Sequence, residues 1–275
     1  MKPYIVSFYP RIPMEENLTV FQPLDGPRIR RLLTEAAGIL LPPYTPPWRY
    51  HVITRLAKRW FPRLETRFEY RGKAKQISLF QQLGVRCPET CVFDAPAEAI
   101  DYVIRYGSPW GYPLVLKGDT GGGGSRVFPV SNRDDMFRHI AKLPPHEPVL
   151  LQRWIEHGGK DLRVVTYGSR AVSYFRVGDG SFYNNVCRGG RLDYDSCPEQ
   201  RRTGQEAVLE FCRGAMIDIA GFDLMFPDNG RPVFIEINFH FGRKGLGGAS
   251  GHQRHMLRAV LDWRAATLAA LDRST

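Results

Sequence analysis

Apolar positions along the chain alternate between the two-residue spacing of strands and the three-to-four-residue spacing of amphipathic helices. Near the N-terminus this pattern predicts, in order, a strand, a helix, a strand that runs into a proline-rich turn, and a helix: YIVSFYP, PRIRRLLTEAAG, ILLPPYTPPW and RYHVITRLAKRWF. The unit ends near residue 70 and is small for a complete nucleotide-binding α/β fold. We therefore expect a short N-terminal α/β domain over residues 1–70.

Beyond this unit the predicted helices separate strands that pair mainly through hairpins. The helices are GKAKQISLFQQLG, DAPAEAIDYVIRYG with Asp94 as N-cap, SNRDDMFRHIAKL with Ser131 and Asp134 at capping-box spacing, a stretch around residues 199–219, and a long C-terminal helix. The strands are ETCVF, EPVLLQRWI, and those of the hairpins DLRVVTYGSRAVSYFRV and FDLMFPDNGRPVFIEINF. This order predicts an α+β or mixed α/β fold.

Four consecutive glycines, Gly121 to Gly124, lie between two apolar strands in PLVLKGDTGGGGSRVFPV. The segment is not a P-loop, because position 124 is glycine where that motif has its lysine, and it is not a dinucleotide fingerprint, because a strand follows it. Its backbone N–H groups could close over phosphate oxygens, with Ser125 as a further donor and Lys117 as a charge at the strand end. A flexible hairpin tip is an equally good interpretation of this segment alone.

The last predicted hairpin brings two carboxylates together on one face if Asn229 and Gly230 form its turn. In that register Asp223 lies directly opposite Glu236, and Asn238 points to the same face. The other face is apolar, and two apolar residues share the face of the acids: Phe222, Leu224, Phe226, Val233, Ile235 and Ile237 on the first, and Met225 and Phe234 on the second. Such oxygen ligands suit Mg²⁺ that also binds substrate phosphates. The alternative is a pair of solvent-facing acids.

The composition narrows the classes of function. The chain has 275 residues, 43% of them hydrophobic, and a net charge of +10, which favours a folded protein with anionic ligands. Its basic clusters lack interleaved aromatic residues, so we do not expect nucleic acid as a partner. No apolar run is long enough to span a membrane, and the N-terminus lacks the pattern of a signal peptide. From these two observations we expect a cytoplasmic location. The cysteines number five, which is odd, and we expect them to be reduced thiols.

Taken in order, these motifs resemble the ATP-grasp superfamily and, within it, the RimK-type carboxylate–amine ligases. The resemblance covers about residues 70–250 and rests on YRGKAKQ, the glycine segment, LQRWIE, GKDLR, SYFRV, NNVCRGG and EIN. It implies an ATP-grasp fold in which two lobes clasp ATP. The first lobe would span residues 71–150 and carry the glycine loop, and the second would span residues 151–275 and carry the Mg²⁺ site.

The resemblance also implies roles for individual residues. One group would bind the nucleotide: Lys73, Lys117, Gly121, Gly122, Gly123, Gly124, Ser125, Gln152, Trp154, Asp161 and Arg163. A second group would bind Mg²⁺: Asp223, Glu236 and Asn238. A third group would contact the transferred phosphoryl group and the substrate: Arg176, Asn185 and Arg188.

The activity that the resemblance implies is an ATP-dependent carboxylate–amine ligation that forms an amide through an acyl-phosphate and releases ADP and Pi. It implies ATP and Mg²⁺, or Mn²⁺, as cofactors. The expected substrates are small-molecule or peptide carboxylates and amines, and the expected assembly is a homo-oligomer. The alternatives are a phosphotransferase of the same fold and a nucleotide-binding module without turnover.

One segment departs from the family pattern. After Asn238 the family has a short segment with Ser and Pro, whereas this chain continues with FHFGRKGLGG. We call residues 239–248 the basic strip, because it contains His240, Arg243 and Lys244 among glycines. Either it grips an anionic group on the second substrate, or it is a structural turn before the last helix.

Overall fold

The computed structural model describes residues 3–178, 180, 182, 189–227 and 230–272. These residues form three sheets with helices packed against them, which confirms the predicted mixed α/β class. No helix in these ranges is both long enough and apolar enough to cross a membrane.

The N-terminal sheet is parallel, with strand order β2-β1-β3-β4. Its elements are β1 (Ile5–Ser7), β2 (Glu16–Asn17), α1 (Pro27–Glu35), β3 (Gly38–Leu40), α2 (Pro47–Thr54), β4 (Trp60–Phe61) and α3 (Glu65–Glu69). The helix predicted to reach Phe61 therefore ends earlier, at Thr54. Its last apolar residues, Trp60 and Phe61, are not helical because they pair with β3, where Phe61 is buried. The Trp60 indole also donates to the Tyr50 hydroxyl at 2.6 Å.

The second sheet is antiparallel, with strand order β5-β8-β6-β7. Its elements are β5 (Thr90–Phe93), α5 (Pro96–Tyr106), β6 (Leu114–Gly118), β7 (Val127–Val130), α6 (Arg133–Ile140) and β8 (Val149–Arg153). Both helices bury their apolar stripes against one face of this sheet, around Val103, Leu116 and Met136. The predicted glycine hairpin is confirmed, because Lys117 and Val127 are the last paired residues before its loop.

The caps of two helices differ from the prediction. The N-cap of α6 is Asn132, whose side chain accepts from the Asp135 amide at 2.9 Å, so the predicted box of Ser131 and Asp134 is wrong by one residue. The N-cap of α5 is Ala95, which offers no side-chain acceptor, and not Asp94.

The third sheet is antiparallel, with strand order β11-β10-β9-β12-β13. Its strands are β9 (Lys160–Tyr167), β10 (Arg170–Val177), β11 (Arg191–Asp193), β12 (Ile219–Met225) and β13 (Val233–Asn238), and its helices are α4 (Lys73–Gln82), α7 (Pro198–Gly214) and α8 (Gly248–Asp272). Helices α4 and α7 share one core with this sheet, around Phe80, Val164 and Phe211. Helix α8 packs, with the N-terminal sheet, against Val165 and Tyr167.

Strand β9 shows how the alternation of side chains positions the site. Its even-numbered residues Leu162 and Val164 point into the core with α4 and α7. Its odd-numbered residues Asp161 and Arg163 therefore point to the opposite face. This face is covered by α8 at one end of the strand only, so the two charged residues lie in the part that is left open as a cleft.

The register of the last hairpin agrees with the prediction at the acids and differs beyond them. Asp223 lies directly opposite Glu236, as expected. A bulge then shifts the register, so that Leu224 pairs with Phe234. As a result Phe234 is buried against the core phenylalanines and Ile235 lines the cleft, so the predicted faces of these two residues are exchanged.

In addition to their shared apolar core, one acidic residue links the N-terminal unit to the third sheet. Asp218, just before β12, accepts from the Arg63 side chain at 2.5 and 3.0 Å and from the Arg63 amide at 2.7 Å. The division into residues 1–70, 71–150 and 151–275 remains a prediction. Its boundary at residues 150 and 151 falls inside β8, whose partners β5 and β6 belong to the second sheet.

We expect Asp218→Ala to lower the free energy of unfolding by about 2 kcal/mol, because the guanidinium and the amide of Arg63 both lose their acceptor. Chemical denaturation followed by fluorescence measures this value. Asp262→Ala is the matched control, since Arg170 binds Asp262 through the same two side-chain nitrogens at the surface. That variant should lose much less stability, and equal losses would contradict the structural role of Asp218.

Candidate functional site

A cleft of 480 Å³ opens between the second and third sheets. Twelve of the residues that the resemblance singles out line it: Lys117, Gly122, Gly123, Gly124, Gln152, Trp154, Asp161, Arg163, Arg176, Asp223, Glu236 and Asn238. Gly121 and Ser125 belong to the same loop but do not line the cleft, and Lys73 lies beside it. Asn185 and Arg188 lie outside the described residues, so their predicted roles stay predictions.

Lys73 begins α4 and reaches both sides of the cleft. Its ammonium lies 3.2 Å from the Gly121 carbonyl oxygen in the glycine loop and 3.6 Å from a Glu236 carboxylate oxygen on β13. The helix start is fixed by Asp119, whose carboxylate accepts from the Ala74 amide at 2.8 Å and whose carbonyl accepts from the Lys73 amide at 3.1 Å. Asp119, the residue after β6, thus supplies the cap that α4 lacks in its own sequence.

The glycine loop is held at its base by one glutamate. Glu147 accepts from the Thr120 hydroxyl and from the Arg126 guanidinium, each at 2.7 Å, so both ends of the loop bind the same carboxylate. Between them Gly121, Gly123 and Gly124 have positive φ angles of 107, 64 and 75°, which other residue types rarely adopt. The loop conformation therefore requires glycine at these positions.

Lys117 ends the strand that leads into this loop, and its side chain is buried at the floor of the cleft. Burial lowers the pKa of the Lys117 ammonium to about 8. The nearby Lys73 charge lowers it as well, while the carboxylates of Glu236 and Asp223 oppose the shift. A lysine in this setting gains from an anion that enters the cleft, because the anion replaces the lost water.

Two carboxylates and two guanidinium groups form a buried charge quartet on the open face of the third sheet: Asp161, Arg163, Arg176 and Asp223. Arg176 pairs directly across from Asp161 in the sheet, and their side chains meet at 2.6 Å. Arg163 lies directly across from Asp223 and binds it at 2.5 and 3.2 Å. Arg176 also reaches Asp223, at 3.1 Å. The strand register therefore builds the quartet.

The two acids of the quartet differ in pKa although both are buried. Burial raises the pKa of Asp161, and the nearby Asp223 carboxylate adds to the rise, so that Arg176 and Arg163 together do not fully offset it. Burial also acts to raise the pKa of Asp223, but Arg163 and Arg176 together outweigh it and hold that pKa below its usual range. The pKa of Arg176 is raised, because both acids outweigh its burial. Asp223 is thus the firmly ionised acid.

Asp223, Glu236 and Asn238 are the residues that could hold a metal ion. Two carboxylates and an amide oxygen form the donor set that Mg²⁺ takes, and all three line the cleft. Asp223 is already engaged, since it accepts from both arginines and from the Asn238 amide nitrogen at 3.2 Å. Within the described ranges no three His, Cys, Asp or Glu residues come together as a metal cluster, so the amide oxygen is needed to complete the set.

The cleft has an apolar end next to β8. Val115, Ile155, Met225 and Ile235 line it, and the Trp154 ring lies 5.5 Å from that of Phe182. Gln152, predicted to face a base, is buried and donates to the Thr90 hydroxyl at 2.9 Å. This end suits a flat ring, whereas the charged end suits phosphates.

Sequence reasoning missed several residues that shape the site: Asp119, Arg126, Glu147, Phe182 and Ile235. Asp119 and Glu147 act through contacts with distant segments, and no local pattern marks them. Ile235 enters the cleft only because of the bulge in β13. The sequence signal for the Asp119 contact is the glycine at position 72. The Asp119 carboxylate occupies the space that a side chain would fill there, and the φ angle of Gly72 is positive.

The chain belongs to the ATP-grasp family, because residues 71–242 match the ATP-grasp domain. Among its relatives is the ribosomal protein bS6–L-glutamate ligase of Escherichia fergusonii, 27% identical over 190 residues, which are 66% of this chain and 59% of the relative. Another is the N-acetylaspartylglutamate synthase A of Homo sapiens, 31% identical over 170 residues, or 59% of this chain and 42% of the relative. These matches confirm the resemblance to RimK-type proteins. The chain spans about half the length of these curated relatives.

Solved structures support the fold. The D-alanine–D-alanine ligase of Bacillus anthracis has a TM-score of 0.58 at 15% identity, and the match covers 94% of this chain and 87% of the other. A RiPP-associated ATP-grasp ligase of Chryseobacterium gregarium, solved with ADP and a leader and core peptide, has a TM-score of 0.55 at 15% identity, covering 83% and 77%. The ATP-grasp fold predicted from the sequence is therefore confirmed.

We expect Arg176→Met to destabilise the protein by about 3–5 kcal/mol, because it leaves two buried carboxylates with one guanidinium between them. Urea denaturation measures the loss. Arg170→Met, on the same strand but at the surface, is the control and should change stability little. A loss in Arg176→Met as small as that of the control would show that the quartet is not buried as described.

Proposed function

We propose that the protein is an ATP-dependent carboxylate–amine ligase. The observation that carries this proposal is the meeting of Lys73, Lys117, the glycine loop and two opposed carboxylates in one cleft. Membership of the ATP-grasp family and the similarity to glutamate ligases support it. The chain matches only 59% and 42% of the length of these two relatives, so its activity and substrates are proposals.

ATP would bind with its adenine in the apolar end of the cleft, between β8 and β13, and its phosphates toward the glycine loop. Backbone N–H groups of Gly122 to Gly124 would bind phosphate oxygens, and Lys117 would supply a charge from the floor of the cleft. Lys73 would exchange its contact with the Gly121 carbonyl for a phosphate oxygen. That exchange is favourable because an anion is a stronger partner for an ammonium than a carbonyl oxygen is.

Mg²⁺, or Mn²⁺, would be held by Asp223, Glu236 and the Asn238 amide oxygen. When bound, the ion would neutralise phosphate charge and polarise the group that is transferred. Glu236 is the more accessible of the two carboxylates, with its side chain 24% exposed against 10% for Asp223, and it lies 3.6 Å from the Lys73 ammonium. Asp223 would share its oxygens between the ion and the two arginines, which keep it ionised.

The proposed reaction has two steps. A substrate carboxylate oxygen attacks the γ-phosphorus, the bond to the β-phosphate oxygen breaks, and ADP and an acyl-phosphate form. An amine nitrogen then attacks the acyl carbon, the bond to the phosphate oxygen breaks, and the amide and Pi leave. Arg176 would stabilise the charge on the phosphoryl group, and the glycine loop would exclude water that hydrolyses the acyl-phosphate. Asn185 and Arg188 are proposed to contact the substrate.

The substrates are proposed from the names of the relatives. One of these acts on a ribosomal protein with L-glutamate, and the other makes N-acetylaspartylglutamate. Both join a carboxylate to an amine, so we propose small-molecule or peptide acids and amines for this chain.

Incubation of the protein with Mg-ATP and pools of carboxylates and amines tests the proposal, with ADP and Pi measured together. ADP and Pi in equal amounts, formed only when an acid and an amine are both present, is the expected result. ADP without Pi would replace the proposal with a phosphotransferase. ATP binding without turnover in any pool would point to a nucleotide-binding module and contradict the ligase.

We expect Glu236→Gln to reduce ATP turnover by about 100-fold or more, because the variant loses the most accessible charge in the proposed metal site. The amide keeps the size of the side chain, so the thermal stability should stay close to that of the parent. Glu210→Gln, an exposed position on α7, is the matched control for the loss of one charge. Turnover near the parent level in Glu236→Gln would rule out the metal assignment.

We expect the affinity for ADP, measured in EDTA, to fall about tenfold or more between about pH 7 and about pH 9.5. The pKa of Lys117 is about 8 in the free protein, so the ammonium is charged at the lower pH and neutral at the higher. Isothermal titration calorimetry measures the change. Lys117→Arg should bind ADP with little dependence on pH in this range, since arginine stays charged. A parent affinity that does not vary with pH would contradict a phosphate contact by Lys117.

A further inference from the structure

The basic strip, residues 239–248, is held rigidly against the third sheet by two contacts between a glycine and an aromatic ring. At one end Phe241 packs over Gly221 on β12, where an added Cβ would lie 3.0 Å from the Phe241 Cβ. At the other end Tyr174 lies under Gly245, where an added Cβ would come within 2.2 Å of the ring. A plain connecting turn does not need such close approaches.

The middle of the strip is fixed by its own backbone. The Arg243 carbonyl accepts from the amides of Leu246 and Gly248, each at 3.0 Å. Gly242 has open space where a side chain would be, so the wall of the cleft is recessed beside Arg243. Arg243 and Lys244 therefore line the cleft from a backbone that is ordered before any ligand binds, which reduces the cost of binding one.

Where the basic strip lines the cleft, positive charges exceed negative charges. The two arginines of the quartet cancel Asp161 and Asp223, and Lys73 is paired with Glu236. Among the described residues, no carboxylate forms an ion pair with Arg243 or Lys244. His240, also on the strip, carries no negative charge, and its ring contacts a further cation, the guanidinium of Arg67 from α3, at 2.8 Å.

We propose that Arg243 and Lys244 form an anion subsite that binds a second anionic group on a co-substrate, in addition to the group that reacts. The inference deepens the proposed function and rests on it. The nucleotide phosphates have their own cations at the glycine loop, so the strip is left for the acid or the amine. A guanidinium with a neighbouring ammonium suits a carboxylate or a phosphate, and a single such contact distinguishes charged from neutral substrates.

Binding of short-chain acids to the protein saturated with Mg-ADP tests this inference without any turnover. The probes are butyrate and succinate, which differ by one carboxylate, and 3-phosphonopropionate, which has a phosphonate at that position. Calorimetry is done on the parent, on the double variant Arg243→Gln/Lys244→Gln, and on Arg105→Gln. Arg105 is exposed on α5 and outside the cleft, so this variant controls for a lost surface charge.

The expected result is that the parent and Arg105→Gln bind succinate or 3-phosphonopropionate about tenfold or more tightly than butyrate, and that the double variant loses this preference. Tighter binding of the phosphonate than of succinate would identify the group as a phosphate. The inference is wrong if the parent shows no preference for the dianions or binds none of the probes. It is also wrong if the double variant keeps the preference. Failure of Mg-ADP binding itself would instead overturn the proposed function.

Discussion

The direct pairing of Asp223 with Arg163 across β12 and β9 is the constraint on which the site depends. Asp223 is buried, and a buried carboxylate without its guanidinium partners would be far more costly than the pair. A slip of either strand by one residue would turn these charges into the phenylalanine core on the other face. The register of β9, β10 and β12 is therefore set by the charges as much as by the apolar residues, and the same register places the cleft.

Helix α4 connects the two sides of this cleft. Its apolar side packs in the core of the third sheet, and the Gln76 side chain exchanges two hydrogen bonds of 2.9 Å with the Ile237 backbone on β13. Its first turn, however, is capped by Asp119 at the entrance to the glycine loop of the second sheet. Lys73 thus contacts both sheets, through the Gly121 carbonyl oxygen of the loop and through the Glu236 carboxylate on β13.

Sequence reasoning predicted most helices and hairpins from local periodicity. It also predicted the opposition of Asp223 and Glu236 from a turn signal, although between this pair and the turn the strand register differs from the prediction by one residue. It missed the bulge beyond Asp223, since the burial of Phe234 among core rings is decided by tertiary packing. It singled out Asp223 from the hairpin register, and the other three quartet residues through family resemblance, but it did not foresee that the four bind one another. Arg163 and Asp223 are far apart in the chain, and only the sheet order brings them together.

The contact between Gly72 and Asp119 also bears on how this protein can change over evolutionary time. A Cβ at position 72 would lie 2.0 Å from the Asp119 carboxylate, and the positive φ of 84° adds a backbone penalty. Neither residue can be substituted alone. A side chain at position 72 would displace the Asp119 carboxylate, and a shorter residue at position 119 would remove the cap of α4. Substitutions at positions 72 and 119 are therefore coupled, so descendants of this sequence should keep both residues or replace both together.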